Sequence, residues 1–284
     1  MKRLIATLLT LVILVTNIPY TVFATSHSPR PSDDDITGPI IDEDEDITNP
    51  GGGGTAHNPL PTDEDDNITG SIVDEEDGSI GSSPFGEPFP ASICTSVNEV
   101  VVHGIPDAKT ILKDGDIISI DCGTLLNGFN GDSCYTFSVG EVSAEVKQLL
   151  EVTKASLYRA IDVALPGHHV GDIGYTVQDY CESHGYGVVR ELTGHGIGKE
   201  MHEEPKVPNY GSRGNGTMLK AGMCIAIEPM ITMGDRNIWL LPDKWSIVTR
   251  DGKPAAHFEH TIAIRKGKAE ILSDFEEIEK VLHN

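Results

Sequence analysis

The stretch DGDIISIDCGTLLNGFNGDS, residues 114–133, decides how the rest of the chain is interpreted. Its alternating, β-branched first part predicts a strand, and the Asn-Gly dipeptide at 127–128 is a strong hairpin-turn signal. The segment that follows can pair back as the second strand. Such a hairpin brings Asp121 and Asp132 into one neighbourhood, where two carboxylates repel each other unless a cation lies between them. The alternative is one buried Asp that caps a turn and one exposed Asp.

The other patterns predict a block of helices between two runs of strands. Ser143 caps a first helix with apolar residues at helical spacing as far as Ile161, and the Pro-Gly pair at 166–167 ends it. A second helix is expected over residues 170–183 and a short closing helix over 275–282. Strands are expected at 116–124, 134–139, 223–231, 246–249, 258–264 and 269–272. This order is typical of an α+β fold with a mostly antiparallel sheet.

Two further acids and one imidazole enlarge the candidate site. Glu228 and Glu259 each interrupt an apolar run, where a carboxylate is costly to bury without a partner. His195 is flanked by glycines that allow close backbone approach. With the two Asp residues, this oxygen-rich set with one imidazole suits a pair of divalent ions such as Mn²⁺, Fe²⁺, Co²⁺ or Zn²⁺. Such a pair holds a hydroxide and polarises a carbonyl. A lone His is more often a satisfied core or surface residue, and the HExxH zinc pattern is not found here.

Five segments resemble type I methionine aminopeptidase, a member of the pita-bread metallopeptidases, over about residues 85–282. They are SICTSVNEVVVHGIP (92–106), DGDIISIDCGTLLNGFNGDS (114–133), VVRELTGHGIGKEMHEEP (188–205), LKAGMCIAIEPM (219–230) and KPAAHFEHTIAI (253–264). The resemblance implies an α+β pita-bread fold whose N-terminal half is incomplete. Family members normally begin with two helices ahead of the first segment, and here a different sequence stands in their place.

The resemblance also implies residue roles. The metal ligands are Asp121, Asp132, His195, Glu228 and Glu259. Among them, Asp132 and Glu259 bridge the two ions, Asp121 chelates one ion, and His195 binds the other. Glu228 would also accept a proton and pass it to the leaving amine. His103 and His202 flank the substrate and steady the tetrahedral intermediate. The methionine side-chain pocket would be lined by Cys94, Phe89, Met201 and Trp245.

The function that follows from the resemblance is metal-dependent removal of N-terminal methionine from peptides or proteins. Two alternatives are a non-catalytic exported surface or binding protein with a truncated peptidase fold, and a proline-directed aminopeptidase of the same fold. The expected partners are polypeptides that start with Met. We expect a monomer that binds no nucleic acid and has no stable membrane span.

The first 84 residues do not fit this picture. Residues 1–24 have the basic start, apolar run and small-residue cleavage site of a signal peptide. Residues 25–84 are predicted to be a disordered acidic linker, in which residues 36–44 recur as residues 68–76. Residues 1–84 carry 16 acidic and 3 basic side chains, a net charge of −13 out of the total of −23, which argues against nucleic acid or an anionic membrane as this segment's partner. The protein is exported if the signal peptide is genuine, and cytoplasmic if this N-terminus comes from a fusion or a mis-called gene.

The cysteine pattern favours a reduced globular domain. The five cysteines form no CxxC pair and their number is odd, so neither a disulfide framework nor a structural zinc site is indicated. Buried free thiols are expected.

Overall fold

The computed structural model describes residues 88–282. The predicted signal peptide (1–24), the predicted linker (25–84) and the first three residues of the predicted catalytic domain (85–284) lie outside the described residues. The strands are β1 (Cys94–Val97), β2 (Val100–Val102), β3 (Ile117–Asp121), β4 (Thr124–Leu126), β5 (Phe129–Gly131), β6 (Ser133–Ser138), β7 (Gly187–Val188), β8 (Thr193–Gly196), β9 (Glu203–Pro208), β10 (Cys224–Ile227), β11 (Met230–Thr232), β12 (Ile238–Leu240), β13 (Ile247–Thr249), β14 (Ala255–His257), β15 (Glu259–Ala263) and β16 (Glu270–Ile271). The helices are α1 (Ala144–Val163), α2 (Val170–Ser183) and α3 (Glu276–Leu282).

One eight-stranded sheet organises the described part of the chain. Its order is β1-β3-β6-β15-β10-β8-β9, with β16 added beside β15. Smaller sheets are formed by β14-β11-β7, β12-β13-β2 and the hairpin β4-β5. Every pairing among these strands is antiparallel. Together with α1 and α2 as a block between β6 and β7, this confirms the predicted α+β class.

The two faces of the main sheet have different chemistry because side chains alternate along a strand. In β6, Tyr135 and Phe137 join the apolar core formed with α1 and α2. Cys134 and Thr136 point to the opposite face. The same alternation in β10 places Ile225 and Ile227 in the core and turns the next residue, Glu228, towards the other side. One face therefore packs under the helices, and the opposite face is left for a polar site.

The helix boundaries follow from their caps. The Ser143 hydroxyl accepts a hydrogen bond from the backbone N–H of Val146 at 3.2 Å, as predicted for the start of α1. The α2 helix begins at a box in which the backbone N–H of His169 donates to Asp172 at 2.7 Å. Within residues 88–282, no helix lies ahead of α1, and none of the three is long and apolar enough to cross a membrane.

Two strand predictions are wrong in detail. The expected strand at 223–231 is two strands in different sheets, because Pro229 has no N–H to continue the ladder. The expected strand at 116–124 ends at Asp121, and the turn at 127–128 closes its own small hairpin, β4-β5, outside the β3-β6 pairing.

Candidate metal centre

A cavity of about 60 Å³ opens on the polar face of the main sheet. Its volume suits a few water-sized groups. Its walls are Cys94, His103, Asp121, Gly123, Asp132, His195, His202, Glu228 and Glu259. The structure thus brings together all five expected ligands and both expected substrate-facing histidines.

Strand register brings the acids together. Asp121 on β3 lies opposite Cys134 on β6, which in turn lies opposite Glu259 on β15. Asp132 immediately precedes β6, and Glu228 follows β10 at the break caused by Pro229. The four carboxyl groups therefore come from segments that are adjacent in the sheet but far apart in sequence.

Burial raises the pKa of all four carboxyl groups. For Asp121, the neighbouring Asp132 raises the pKa further, and the two carboxyl groups share a hydrogen bond that requires a proton on one of them. The pKa of Glu228 and that of Glu259 are also raised by burial first and then by the neighbouring acids. Glu259 Oε1 is buried without a hydrogen-bond partner in the described part of the chain. Such a cluster of buried oxygens fits divalent cations, which neutralise the charge and supply the missing partner.

His195 is oriented as a metal ligand. Its Nδ1 lies 2.8 Å from the carbonyl oxygen of Gly196, so a neutral ring donates there and leaves the Nε2 lone pair free. Nε2 lies 3.6 Å from Glu228 Oε1 and 3.9 Å from Asp132 Oδ2. Ligand atoms of Asp132, His195 and Glu259 all lie within 4.8 Å of one another.

The glycines that flank His195 are required by the neighbouring strands. A Cβ at Gly194 would collide with the carbonyl oxygen of Ala226 on β10, and one at Gly196 with that of Glu204 on β9. Because both neighbours are backbone atoms of paired strands, they cannot move aside. The glycines thus fix the depth at which the imidazole enters the cavity.

Two hydroxyl groups hold the backbone of Asp132, and the sequence motifs predicted neither of them. The Thr261 hydroxyl accepts a hydrogen bond from Asp132 N–H and donates to the Asp132 carbonyl, both at 2.8 Å. The Ser273 hydroxyl also donates to that carbonyl, at 3.2 Å. These contacts span more than 120 residues of sequence, so no local pattern could reveal them.

His103 sits at a strained position on the cavity rim. Its φ of 55° is in the left-handed region, which is uncommon for a residue other than glycine and is often found at functional sites. The next residue, Gly104, lies so close to β1 that a Cβ would collide with the Thr95 carbonyl. Burial lowers the pKa of His103 to about 4, which keeps the ring neutral near pH 7. On the other side, the His202 ring lies 4.2 Å from that of His195.

The expected methionine pocket adjoins this rim. Cys94 lines the cavity itself. Trp245 contacts the His103 ring edge-on at 6.1 Å, and Phe89 packs against Trp245 at 5.0 Å. Met201 reaches towards Gly123, where an added Cβ would collide with its terminal methyl. Phe89 and Trp245 therefore lie behind His103, and Met201 lies behind Gly123. Together with Cys94, these side chains are called the apolar wall below.

His257 is a buried neighbour of the site that the motif reading missed. Its backbone N–H donates to Thr136 Oγ1 at 2.9 Å, and its carbonyl accepts from the same hydroxyl at 2.6 Å. The ring Nε2 lies 3.7 Å from Glu228 Oε2. Its position two residues before Glu259 is the signal that could have found it.

A match to a protein family shows which proteins this chain is related to. Residues 72–266 match metallopeptidase family M24. The chain belongs to this family. The match begins ahead of the predicted domain start at residue 85, and M24 membership implies divalent metal ions at the clustered ligands.

Similar M24 proteins include several methionine aminopeptidases. The one from Clostridium acetobutylicum is 52% identical over 185 residues, which cover 65% of this chain and 74% of the relative. Methionine aminopeptidase 1 of Bacillus subtilis is 50% identical over 198 residues, covering 70% of this chain and 79% of the relative. The predicted resemblance to type I methionine aminopeptidase is confirmed.

Solved structures support the fold of this M24 domain. The crystal structure of methionine aminopeptidase from Rickettsia prowazekii matches with a TM-score of 0.63 at 47% identity, covering 64% of this chain and 74% of that chain. Prolidase from Pyrococcus furiosus matches with a TM-score of 0.52 at 25% identity, covering 64% and 48% respectively. The described residues have the pita-bread fold.

Metal ions should stabilise this protein strongly. For the full chain stripped by a chelator, Mn²⁺ or Co²⁺ at 100 times its dissociation constant should raise the free energy of unfolding by about 2.7 kcal/mol. Asp132→Asn should lose most of this gain, as measured by urea unfolding. The control Glu270→Gln, in an exposed pair with Arg265, should keep it. An equal gain in Asp132→Asn and wild type would contradict the assignment.

A second prediction concerns the acid side of the stability curve. Burial lowers the pKa of His257 from 6.5 to about 3. Between these two pH values, His257 is protonated in the unfolded chain and neutral in the folded protein. This group's contribution is therefore lost as the pH falls from 6.5 towards 3, by up to about 1.4 kcal/mol per pH unit. The raised pKa values of the carboxyl groups have the opposite effect on the free energy of unfolding. The contribution of His257 is therefore measured by comparing wild type with a variant that lacks this ring. Between pH 6 and 4, chelator-treated His257→Gln should lose less stability than wild type in urea unfolding; parallel curves would contradict this.

Proposed function

We propose that this chain is a metal-dependent aminopeptidase that removes N-terminal methionine from peptides or proteins. The observation that carries the proposal is the convergence of five ligand side chains on one cavity, with two imidazoles on its rim. The similar proteins from Clostridium acetobutylicum and Bacillus subtilis are methionine aminopeptidases, and they are 52% and 50% identical to this chain over the aligned residues.

The proposed cofactor is a pair of divalent ions, drawn from Co²⁺, Mn²⁺, Fe²⁺ and Zn²⁺. Asp121, Asp132, His195, Glu228 and Glu259 would hold them. When bound, such ions would lower the pKa of a water and polarise the scissile carbonyl. The clamp of Thr261 and Ser273 on the backbone of Asp132 supports a ligand role, since it fixes the position of this carboxylate.

Glu228 is proposed to move the proton. Its two carboxylate oxygens face different imidazoles, Oε1 towards His195 and Oε2 towards His257. Its backbone carbonyl accepts a hydrogen bond from Asn209 at 3.0 Å, which fixes the strand break that carries it. A carboxylate held in this way can take a proton from the attacking water and deliver it to the departing amine.

His103 and His202 are proposed to flank the scissile amide. Because its pKa is lowered to about 4, a neutral His103 can donate an N–H to a developing oxyanion without first losing a charge. His202 faces the cavity beside His195. The two rings therefore flank the space where the first peptide bond of the substrate would lie.

Selectivity for methionine is proposed to come from the apolar wall. Cys94, Phe89, Met201 and Trp245 combine sulfur and aromatic rings, which interact favourably with the thioether of a bound methionine. Asp243 holds the Trp245 turn through hydrogen bonds from the N–H groups of Trp245 and Ser246 at 2.9 and 2.8 Å. A rigid Trp ring of this kind fixes one side of the pocket.

Methionine release is the direct test. The full chain with Mn²⁺, Co²⁺ or Fe²⁺ should release methionine from Met-Ala-Ser, and Asp132→Ala or His195→Ala should abolish turnover because a ligand is lost. The surface control Glu270→Gln should retain it. Unchanged turnover in either ligand variant would sink the assignment. Absence of release by a folded, metal-loaded protein would favour a non-catalytic binding role.

A proline-directed peptidase is the alternative enzyme, and the fold match to prolidase from Pyrococcus furiosus motivates testing it. Assays of Met-Ala-Ser and Ala-Pro peptides side by side separate the two. Preference for Ala-Pro would replace the proposal, whereas release confined to the Met peptide would support it.

We further propose that the protein is exported, because residues 1–24 have the pattern of a signal peptide. We also propose that it is a monomer. Mass spectrometry of the protein recovered from its native source should give an N-terminus at Thr25 in an extracellular or envelope fraction. A retained Met1 in the cytoplasmic fraction would reject export and favour a fusion or mis-called start. Light scattering of the same preparation gives the oligomeric state.

A further inference from the structure

A row of alternating thiols and carboxylates runs across the main sheet beside the cavity. Cys94 on β1 is paired with Asp121 on β3, Asp121 with Cys134 on β6, and Cys134 with Glu259 on β15. Directly paired residues of antiparallel strands project to the same face. Cys134 therefore lies between two proposed metal ligands, although nothing in the proposed reaction uses its thiol.

His257 supplies a third kind of donor at the same place. A carboxylate oxygen of Asp121, the sulfur of Cys134 and a ring nitrogen of His257 all lie within 4.8 Å of one another. Cys134 is 1% exposed and His257 2% exposed. The buried Nε2 of His257 has no hydrogen-bond partner in the described part of the chain, and the Cys134 thiol makes only a long contact, 3.6 Å, with the His257 carbonyl.

We propose that Asp121, Cys134 and His257 form a second, overlapping site for a thiophilic divalent ion, Zn²⁺ or Cd²⁺. One sulfur, one nitrogen and one oxygen are ligands that such ions accept in a tetrahedral arrangement with a fourth position left for water. On binding, a sulfur–metal bond forms and the thiol proton is released to solvent.

This site shares one residue with the proposed catalytic pair. Because Asp121 belongs to both, a thiophilic ion at Cys134 and His257 competes with full loading of the cavity. Excess Zn²⁺ would therefore inhibit a protein that Mn²⁺ activates, and the inhibition would depend on Cys134. Metal binding by the Cys134 thiolate can be tested without measuring peptide hydrolysis.

The test is a Cd²⁺ titration of the full chain after chelator treatment, followed by the ultraviolet charge-transfer band of a thiolate–cadmium bond. Wild type should develop the band, Cys134→Ser should lose it, and Asp132→Asn should keep it. His257→Leu should weaken Cd²⁺ binding by about 10- to 100-fold. Cys94→Ser is the matched control, since Cys94 is equally buried on the same row, and it should keep the band.

Three results would overturn the proposal: no band in wild type, a band that persists in Cys134→Ser, or a band that Cys94→Ser removes. Circular dichroism and thermal melting check that each variant folds. If Cys134→Ser does not fold, X-ray absorption of Zn²⁺-loaded Cys94→Ser decides the question. One sulfur bound to zinc supports the site, and a shell of nitrogen and oxygen alone rejects it.

Discussion

Mutual repulsion among four carboxyl groups that share one cavity is the constraint on which the rest of this structure depends. Asp121, Asp132, Glu228 and Glu259 share a cavity of about 60 Å³, and burial together with their mutual proximity disfavours ionisation of each. Loops could relieve this repulsion by moving apart. Here each acid lies in or next to a strand of the main sheet, so the backbone ladder holds the acids together. Their repulsion is then relieved either by a proton, as in the hydrogen bond between Asp121 and Asp132, or by a bound cation.

Burial acts on acids and imidazoles in opposite directions, and the site uses both effects. It raises the pKa of the carboxyl groups and lowers that of His103 to about 4. Cations reverse the first effect because they favour ionised oxygens. They do not favour protonation of nearby rings, so His103 and His202, whose pKa values are lowered first by burial, stay neutral. A loaded site therefore combines ionised ligands with neutral N–H donors, which is the combination that amide hydrolysis requires.

The sequence predicted the parts of this molecule that have strong local signals. The pairing of β3 with β6, the Ser143 cap and the apolar spacing of α1 follow from local signals, and the structure has all three. Short strands such as β7 and β14 have two or three residues and carry too little periodicity to predict. The Thr261 clamp on Asp132 and the approach of His257 to Glu228 arise only from long-range pairing. The spacing of His257 from Glu259 could mark it as a neighbour of the site, but it could not identify Glu228 as its partner.

The pairing of β6 with β15 couples metal binding to folding. It joins the strand beside Asp132 to the strand that carries Glu259, yet its register consists of two residue pairs. Side chains reinforce this short seam: the Ser133 hydroxyl donates to the Glu259 carbonyl at 3.3 Å, and Thr136 holds His257. Metal ions held by Asp132 and Glu259 would draw on ligands from both sides of this seam. Their binding energy would then add to the stability of the junction between β6 and β15.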